Sequence, residues 1–152
     1  MHIWVDADSC PVAIRNILFK AAKRTGFALT LVANRPLRVP KDDNILFLLV
    51  SAGSDAADLK ITELAIPEDL VITADIPLAA NVIQKGCLAL NPNGNLFSDD
   101  TIRARLSMRN FMETLRASGI KTGGPKAISQ SSIKNFADQL DKILTKWLAN
   151  GI

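Results

Sequence analysis

Ile3-Trp4-Val5-Asp6-Ala7-Asp8-Ser9-Cys10-Pro11 decides the fold of this chain: a strand-length apolar run stops at a carboxylate, and helix-start residues follow at once. The same order recurs in Leu70-Val71-Ile72-Thr73-Ala74-Asp75-Ile76-Pro77, and a third acidic stretch, Gly53-Ser54-Asp55-Ala56-Ala57-Asp58, follows another apolar run. In an open parallel sheet the carboxyl ends of the strands face one crevice, so acids that close separate strands converge there although the sequence scatters them. Carboxylates gathered in one pocket raise each other's pKa or recruit a hard divalent cation, and Mg²⁺ or Mn²⁺ with oxygen ligands is the usual recruit. The pattern predicts a small metal enzyme acting on phosphodiesters.

Outward from these stretches, apolar runs alternate with amphipathic ones, which predicts an α/β fold built of βαβ units. His2 to Asp6 reads as the first strand. Ser9 is expected to cap a helix with Pro11 in its first turn and with Val12, Ile14, Ile17, Leu18 and Ala21 on its apolar side, ending near Gly26. Strands follow over 28–33 and 45–50, separated by a loop rich in proline and charge. A helix is expected over 55–66, closed by Pro67, then a strand over 70–74, a helix from about Pro77 to Lys85 and a strand over 87–90. Asn93-Gly94 signals a turn that returns the chain through Leu96 and Phe97. Asp99 or Asp100 is expected to cap a helix reaching about Ser118, and 129–149 reads as the last helix.

The chain has 152 residues, enough for one domain, 1–152, with a basic helical segment, 101–152, as its C-terminal part. Its apolar runs fall far short of the roughly 20 residues that span a bilayer, so no membrane partner is expected. No signal-peptide pattern precedes the first strand, and two cysteines cannot staple a domain of this size, so a cytoplasmic, reduced protein is expected. With one histidine, a Cys/His zinc site is excluded. Residues 1–100 hold 9 Lys/Arg against 12 Asp/Glu, and residues 101–152 hold 9 against 3. A basic flank beside an acidic metal pocket suits a polyanion gripped by its phosphates, although Arg103, Arg105, Arg109, Arg116, Lys134, Lys142 and Lys146 also fit two solvated helix faces. Phe111, Phe136 and Trp147 on the late helices are core or interface residues, which leaves a homodimer open.

Asp6 is expected to close its strand and Asp8 to lie on the turn after it, both within reach of the crevice. Capping of the first helix is the alternative role for Asp8. Asp75 sits where Asp6 sits, and it can also cap the helix after it. Asp58, one turn into its helix, is the ligand of the 53–58 stretch, with Asp55 as the cap of that helix or as support behind the ligand. Asn34, Cys10 and Thr73 are placed behind the ligands or at the rim. Asp42, Asp43, Glu68, Asp69, Asp99 and Asp100 fall in loops and have ordinary solvated or capping explanations. Cys10 lies near a helix N-terminus, where a thiol pKa falls, but thiol chemistry ranks below metal chemistry because the lone histidine, His2, cannot be assumed to act as its base. Arg38, Arg109 and Lys126 are candidate phosphate contacts because they border polar or glycine-rich stretches. Thr122-Gly123-Gly124-Pro125 offers backbone amides to a phosphate or is simply a turn.

Residues 3–11, Leu31-Val32-Ala33-Asn34, 69–79, Asn91-Pro92 and 122–125 together resemble the bacterial YaiI/YqxD family over essentially the whole chain. That family resembles the PIN-like nucleases. The resemblance implies a three-layer sandwich whose mostly parallel sheet has the order 3-2-1-4-5, with three or four acids holding Mg²⁺ or Mn²⁺ to cleave RNA or DNA. Carried over, Asp6 is the first-strand acid, Asp58 the acid at the start of a later helix and Asp75 the acid after strand four, with Asp8 as a fourth. The expected function is metal-assisted hydrolysis of nucleic acid, RNA being the favoured polymer. Two alternatives stand beside it: a non-catalytic nucleic-acid or protein-binding module on the same fold, and a haloacid-dehalogenase-type phosphatase using Asp6 and Asp8.

Overall fold

In the computed structural model, residues 1–53, 55–104, 107–108 and 128–150 are described. Five parallel strands form one sheet in the order β3-β2-β1-β4-β5: β1 His2–Asp6, β2 Ala28–Ala33, β3 Ile45–Leu49, β4 Leu70–Ile72 and β5 Leu88–Leu90. This is the order that the resemblance implied. Among the described residues the helices whose full extent is defined are α1 Val12–Thr25, α2 Ala56–Leu64, α3 Ile76–Gln84 and α4 Gln130–Asn150.

Strands covered on both faces carry apolar residues on both, and β1, β2 and β4 do. Ile3, Val5, Leu29, Leu31, Leu70 and Ile72 pack with Ile14 and Leu18 of α1 and with Phe136, Leu140 and Leu144 of α4. Trp4, Val32, Val71 and Ala89 face the other way, onto Ile61 of α2 and Leu78 and Val82 of α3. Phe136 and Trp147 belong to the first of these layers, where Trp147 meets Phe27 edge-on at 5.1 Å, so both are core residues. Phe111 lies outside the described residues. No helix among the described residues is long and apolar enough to cross a membrane.

Several local expectations change. A 3₁₀ turn, Ala7–Ser9, intervenes before α1, so Pro11 occupies the cap position and Ser9 does not cap. Val12 is 61% exposed, because at 3.6 residues per turn it lies on the opposite side of α1 from Ile14 and its buried stripe. The strand expected over 70–74 stops at Ile72, freeing Thr73 and Ala74 to turn toward the crevice. Ser98, not Asp99 or Asp100, caps the helical residues 99–104: the Thr101 N–H donates to its hydroxyl, and its own N–H donates to Thr101 Oγ1 at 2.7 Å. The return after Asn93-Gly94 is a single antiparallel bridge, Leu90 to Leu96.

Asp69 has neither a solvated nor a capping role. It is 2% exposed at the amino end of the sheet, where it accepts from His2 N, Trp4 Nε1 and Ile66 N at 3.0–3.1 Å. Those donors satisfy a buried carboxylate that would otherwise be costly.

Candidate active site

The strand order reverses between β1 and β4, because β2 and β3 build outward from one side of β1 while β4 and β5 build from the other. Connections leave such a point in opposite directions and open a crevice at the carboxyl ends of the two strands. Here the crevice is a cleft of about 310 Å³ lined by Asp6, Asp8, Ser9, Asn34, Gly53, Ala57, Asp58, Ala74 and Asp75. All four aspartates expected as ligands meet in it.

Each acid is held by a different local device. Asp6 ends β1 and is 5% exposed. Its Oδ2 accepts from the hydroxyls of Thr73 at 2.9 Å and Ser9 at 3.0 Å, and among the described residues its Oδ1 accepts no hydrogen bond. The same Thr73 oxygen accepts the Asp75 N–H at 2.9 Å, so one buried hydroxyl ties the end of β1 to the start of α3. Asp75 caps α3 through Oδ1, which accepts the Leu78 N–H at 2.9 Å. Asp58 lies in the first turn of α2 and its carboxyl meets that of Asp75 through a hydrogen bond. Asp55 occupies the cap position of α2 without making a side-chain cap bond.

The electrostatics follow from this crowding. Burial pushes Asp58 up to about 7, reinforced by the charge of Asp75, by the hydrogen bond between the two, and by Asp6 and Asp55. Asp58 therefore keeps its proton to higher pH than an ordinary carboxyl does. Burial also raises Asp6, partly offset by the Thr73 and Ser9 hydroxyls, and the charges of Asp75 and Asp8 add to the rise.

Asp8 lines the cleft, but both its oxygens are engaged. Oδ2 accepts the Asn34 N–H at 2.9 Å, and Oδ1 lies 3.6 Å from Arg35 Nε. It tethers the segment after β2 instead of capping α1. Asn34 thus contributes its backbone to that tether and its side chain to the rim. Cys10 reverses its expectation: it is 6% exposed, and burial pushes its thiol up to about 12, outweighing the nearby Arg15 charge. A thiolate nucleophile there is not supported. Arg38 stands exposed on the segment after β2, while Arg109 and Lys126 lie outside the described residues. Thr73 stands behind Asp6, within the positions expected for it, whereas nothing in the sequence pointed to Arg35 or to Ser9 as a hydroxyl donor to Asp6.

Among the described residues no three or more His, Cys, Asp or Glu side chains are arranged to hold a metal ion. The donor chemistry nevertheless fits a hard cation. All the cleft's acidic donors are oxygens, the neighbouring acids that raise the Asp58 pKa are a repulsion that a cation would relieve, and Mg²⁺ commonly takes only one or two carboxylates with waters and phosphate completing its shell.

The fold and site define a three-layer α/β protein with an acidic cleft at its switch point. The chain belongs to the family described as Uncharacterized BCR, YaiI/YqxD family, whose model matches residues 4–146. It is 60% identical over 146 residues to a UPF0178 protein of Syntrophotalea carbinolica, covering 96% of this chain and 99% of the relative. UPF0178 proteins of Shewanella loihica (55% identical, 97% and 98% covered) and Vibrio cholerae (58% identical, 96% and 98% covered) are similar over the same span. No solved structure matches significantly.

Proposed function

We propose that the cleft binds Mg²⁺ or Mn²⁺ and hydrolyses phosphodiesters of nucleic acid, with RNA the favoured polymer. The observation that carries this reading is the convergence of Asp58 and Asp75 in one cleft, with Asp6 buried beside them at the switch point. A fold that needed these residues only for capping would not crowd like charges into one cleft, since each neighbour raises the cost of ionisation. Asp58 and Asp75 would hold the cation, with the unengaged oxygen of Asp6 as the further donor. Such a cation supplies Lewis-acid charge for a phosphate oxygen and for ionisation of water. The chain's own groups do the positioning: Thr73 and Ser9 orient Asp6, the α3 amide of Leu78 orients Asp75, and the basic residues after β2 offer charge to phosphate.

The lack of a preformed three-acid group among the described residues favours, as a second reading, a non-catalytic nucleic-acid or protein-binding module on the same scaffold. The phosphatase reading has less support, because the second aspartate it needs as acid and base, Asp8, is tied to Asn34 and Arg35. A cytoplasmic location belongs to the same proposal and is supported by Cys10 and Cys87, both buried and unpaired.

The test is incubation of an end-labelled single-stranded RNA with the protein in Mn²⁺, in Mg²⁺ and in EDTA. Cleavage should require the metal and vanish in Asp75→Asn. Binding without any metal-dependent cleavage selects the second reading, and cleavage that persists in EDTA or in the variant overturns the first.

A further inference from the structure

The segment from Asn34 to Asn44 that joins β2 to β3 has no regular secondary structure for most of its length, yet it is fixed at many points. At its start the Asn34 N–H is held by Asp8. In its middle Leu37 and Val39 pack into the core layer under α1. At its end the Asn44 side chain donates to the carbonyls of Ala22 and Phe27, both at 2.9 Å, and its backbone carbonyl accepts the Leu29 N–H at 2.8 Å. Pro36 and Pro40 fix their own φ and hold the residues before them extended.

With Leu37 and Val39 turned inward, Arg35, Arg38 and Lys41 are exposed at every third position. Among the described residues Arg38 and Lys41 make no ion pair, and Arg35 has only its 3.6 Å contact with Asp8. Three cations held on a stiff segment lose little conformational freedom when they meet a ligand, which a flexible basic tail cannot match. From Arg35 to Lys41 the backbone spans at most about 20 Å, the length of a short run of phosphates.

We propose that residues 35–41, ahead of Asp42 and Asp43, form a rigid cationic rail that binds the phosphate backbone of a single-stranded nucleic acid beside the acidic cleft, with Arg35, Arg38 and Lys41 as its phosphate contacts. Asn34, next to the rail, belongs to the cleft rim, so a strand on the rail runs directly to the carboxylates. The cleft, at about 310 Å³, is at the small end of ligand sites and takes a nucleotide-sized group from a single strand rather than a base-paired duplex. An acidic protein would satisfy the same charges, but it would lack the phosphodiester for the cleft to act on. The rail rests on the reading of the cleft as a phosphodiester site.

The experiment measures fluorescence anisotropy of a labelled single-stranded RNA 12-mer with the full chain in EDTA, across a salt series. Arg38→Gln combined with Lys41→Gln should weaken binding about tenfold at low salt and reduce the slope of log K against log salt by about 1.4, at about 0.7 per lost phosphate contact. Lys142→Gln with Lys146→Gln on α4, also exposed, should leave the slope unchanged. The proposal is overturned if the wild-type chain does not bind at low salt, if the rail pair leaves affinity and slope unchanged, if the α4 pair produces the loss instead, or if polyglutamate displaces the RNA at equal charge. Because metal is absent, the outcome separates the two readings. Loss of binding in the rail pair with no cleavage under any metal keeps the rail and sinks the nuclease; metal-dependent cleavage by a rail pair with full affinity does the reverse.

Discussion

The Thr73 hydroxyl donates to Asp6 Oδ2 at 2.9 Å across the point where the strand order reverses. Because the same oxygen accepts the Asp75 N–H, β1 and α3 are joined through a side chain that is 1% exposed. Thr73→Val keeps the shape and removes the donor, leaving Asp6 Oδ2 with Ser9 alone. The variant should lose about 1–3 kcal/mol of metal-free stability in urea unfolding, the cost of an under-satisfied buried group. Thr73→Ser should retain most of it. Equal stability of the valine variant and the wild type would show that the tie is incidental.

Asp58 predicts a particular pH dependence. Its folded-state pKa, about 7, lies above its ordinary value of 3.8, so between those values the folded chain binds more protons at this site than the unfolded chain. The stability it contributes is therefore present at low pH and is lost as pH rises through the window from about 4 to about 7. In EDTA the melting temperature of the wild type minus that of Asp58→Asn should fall across that window and level off above it. A difference that is flat, or that rises with pH, refutes the raised Asp58 pKa.

Gly94 tests how the turn after β5 seats α4. Its φ is 90°, and a Cβ there would stand 2.5 Å from the backbone of Asn135 and Phe136, so neither the turn nor the helix can give way cheaply. Gly94→Ala should cost at least about 2 kcal/mol, from left-handed backbone strain plus displacement of α4. A variant that melts within a degree of the wild type would mean that the helix moves freely at this point.

The strand-end acids were legible because an apolar run closed by Asp, with a helix start behind it, carries a positional meaning in a parallel sheet, and Asp6 and Asp75 both follow that rule. What joins them was not legible. The role of Thr73 depends on β4 stopping at Ile72, and boundaries of one or two residues are set by tertiary packing that the local sequence does not encode. Asp69 was misread because an acid after Pro67-Glu68 looks solvated, and only the fold brings Trp4 and the backbone N–H of His2 to it. For Cys10 the low rank of thiol chemistry stands, and only the lowered pKa expected near a helix start is reversed, because burial depends on packing that the local sequence does not show.

Thermal unfolding in rising Mn²⁺ tests the central claim most directly, because a cation held by the cleft acids stabilises only the folded chain that gathers them, by about 2.7 kcal/mol at a hundredfold excess over Kd. The wild-type melting temperature should rise steadily through the millimolar range, while Asp6→Asn and Asp75→Asn, both melted in parallel, should show a much smaller rise from a metal-free baseline that is unchanged or higher. No rise for the wild type at millimolar Mn²⁺, or an equal rise in all three proteins, would contradict a cation site at Asp6, Asp58 and Asp75.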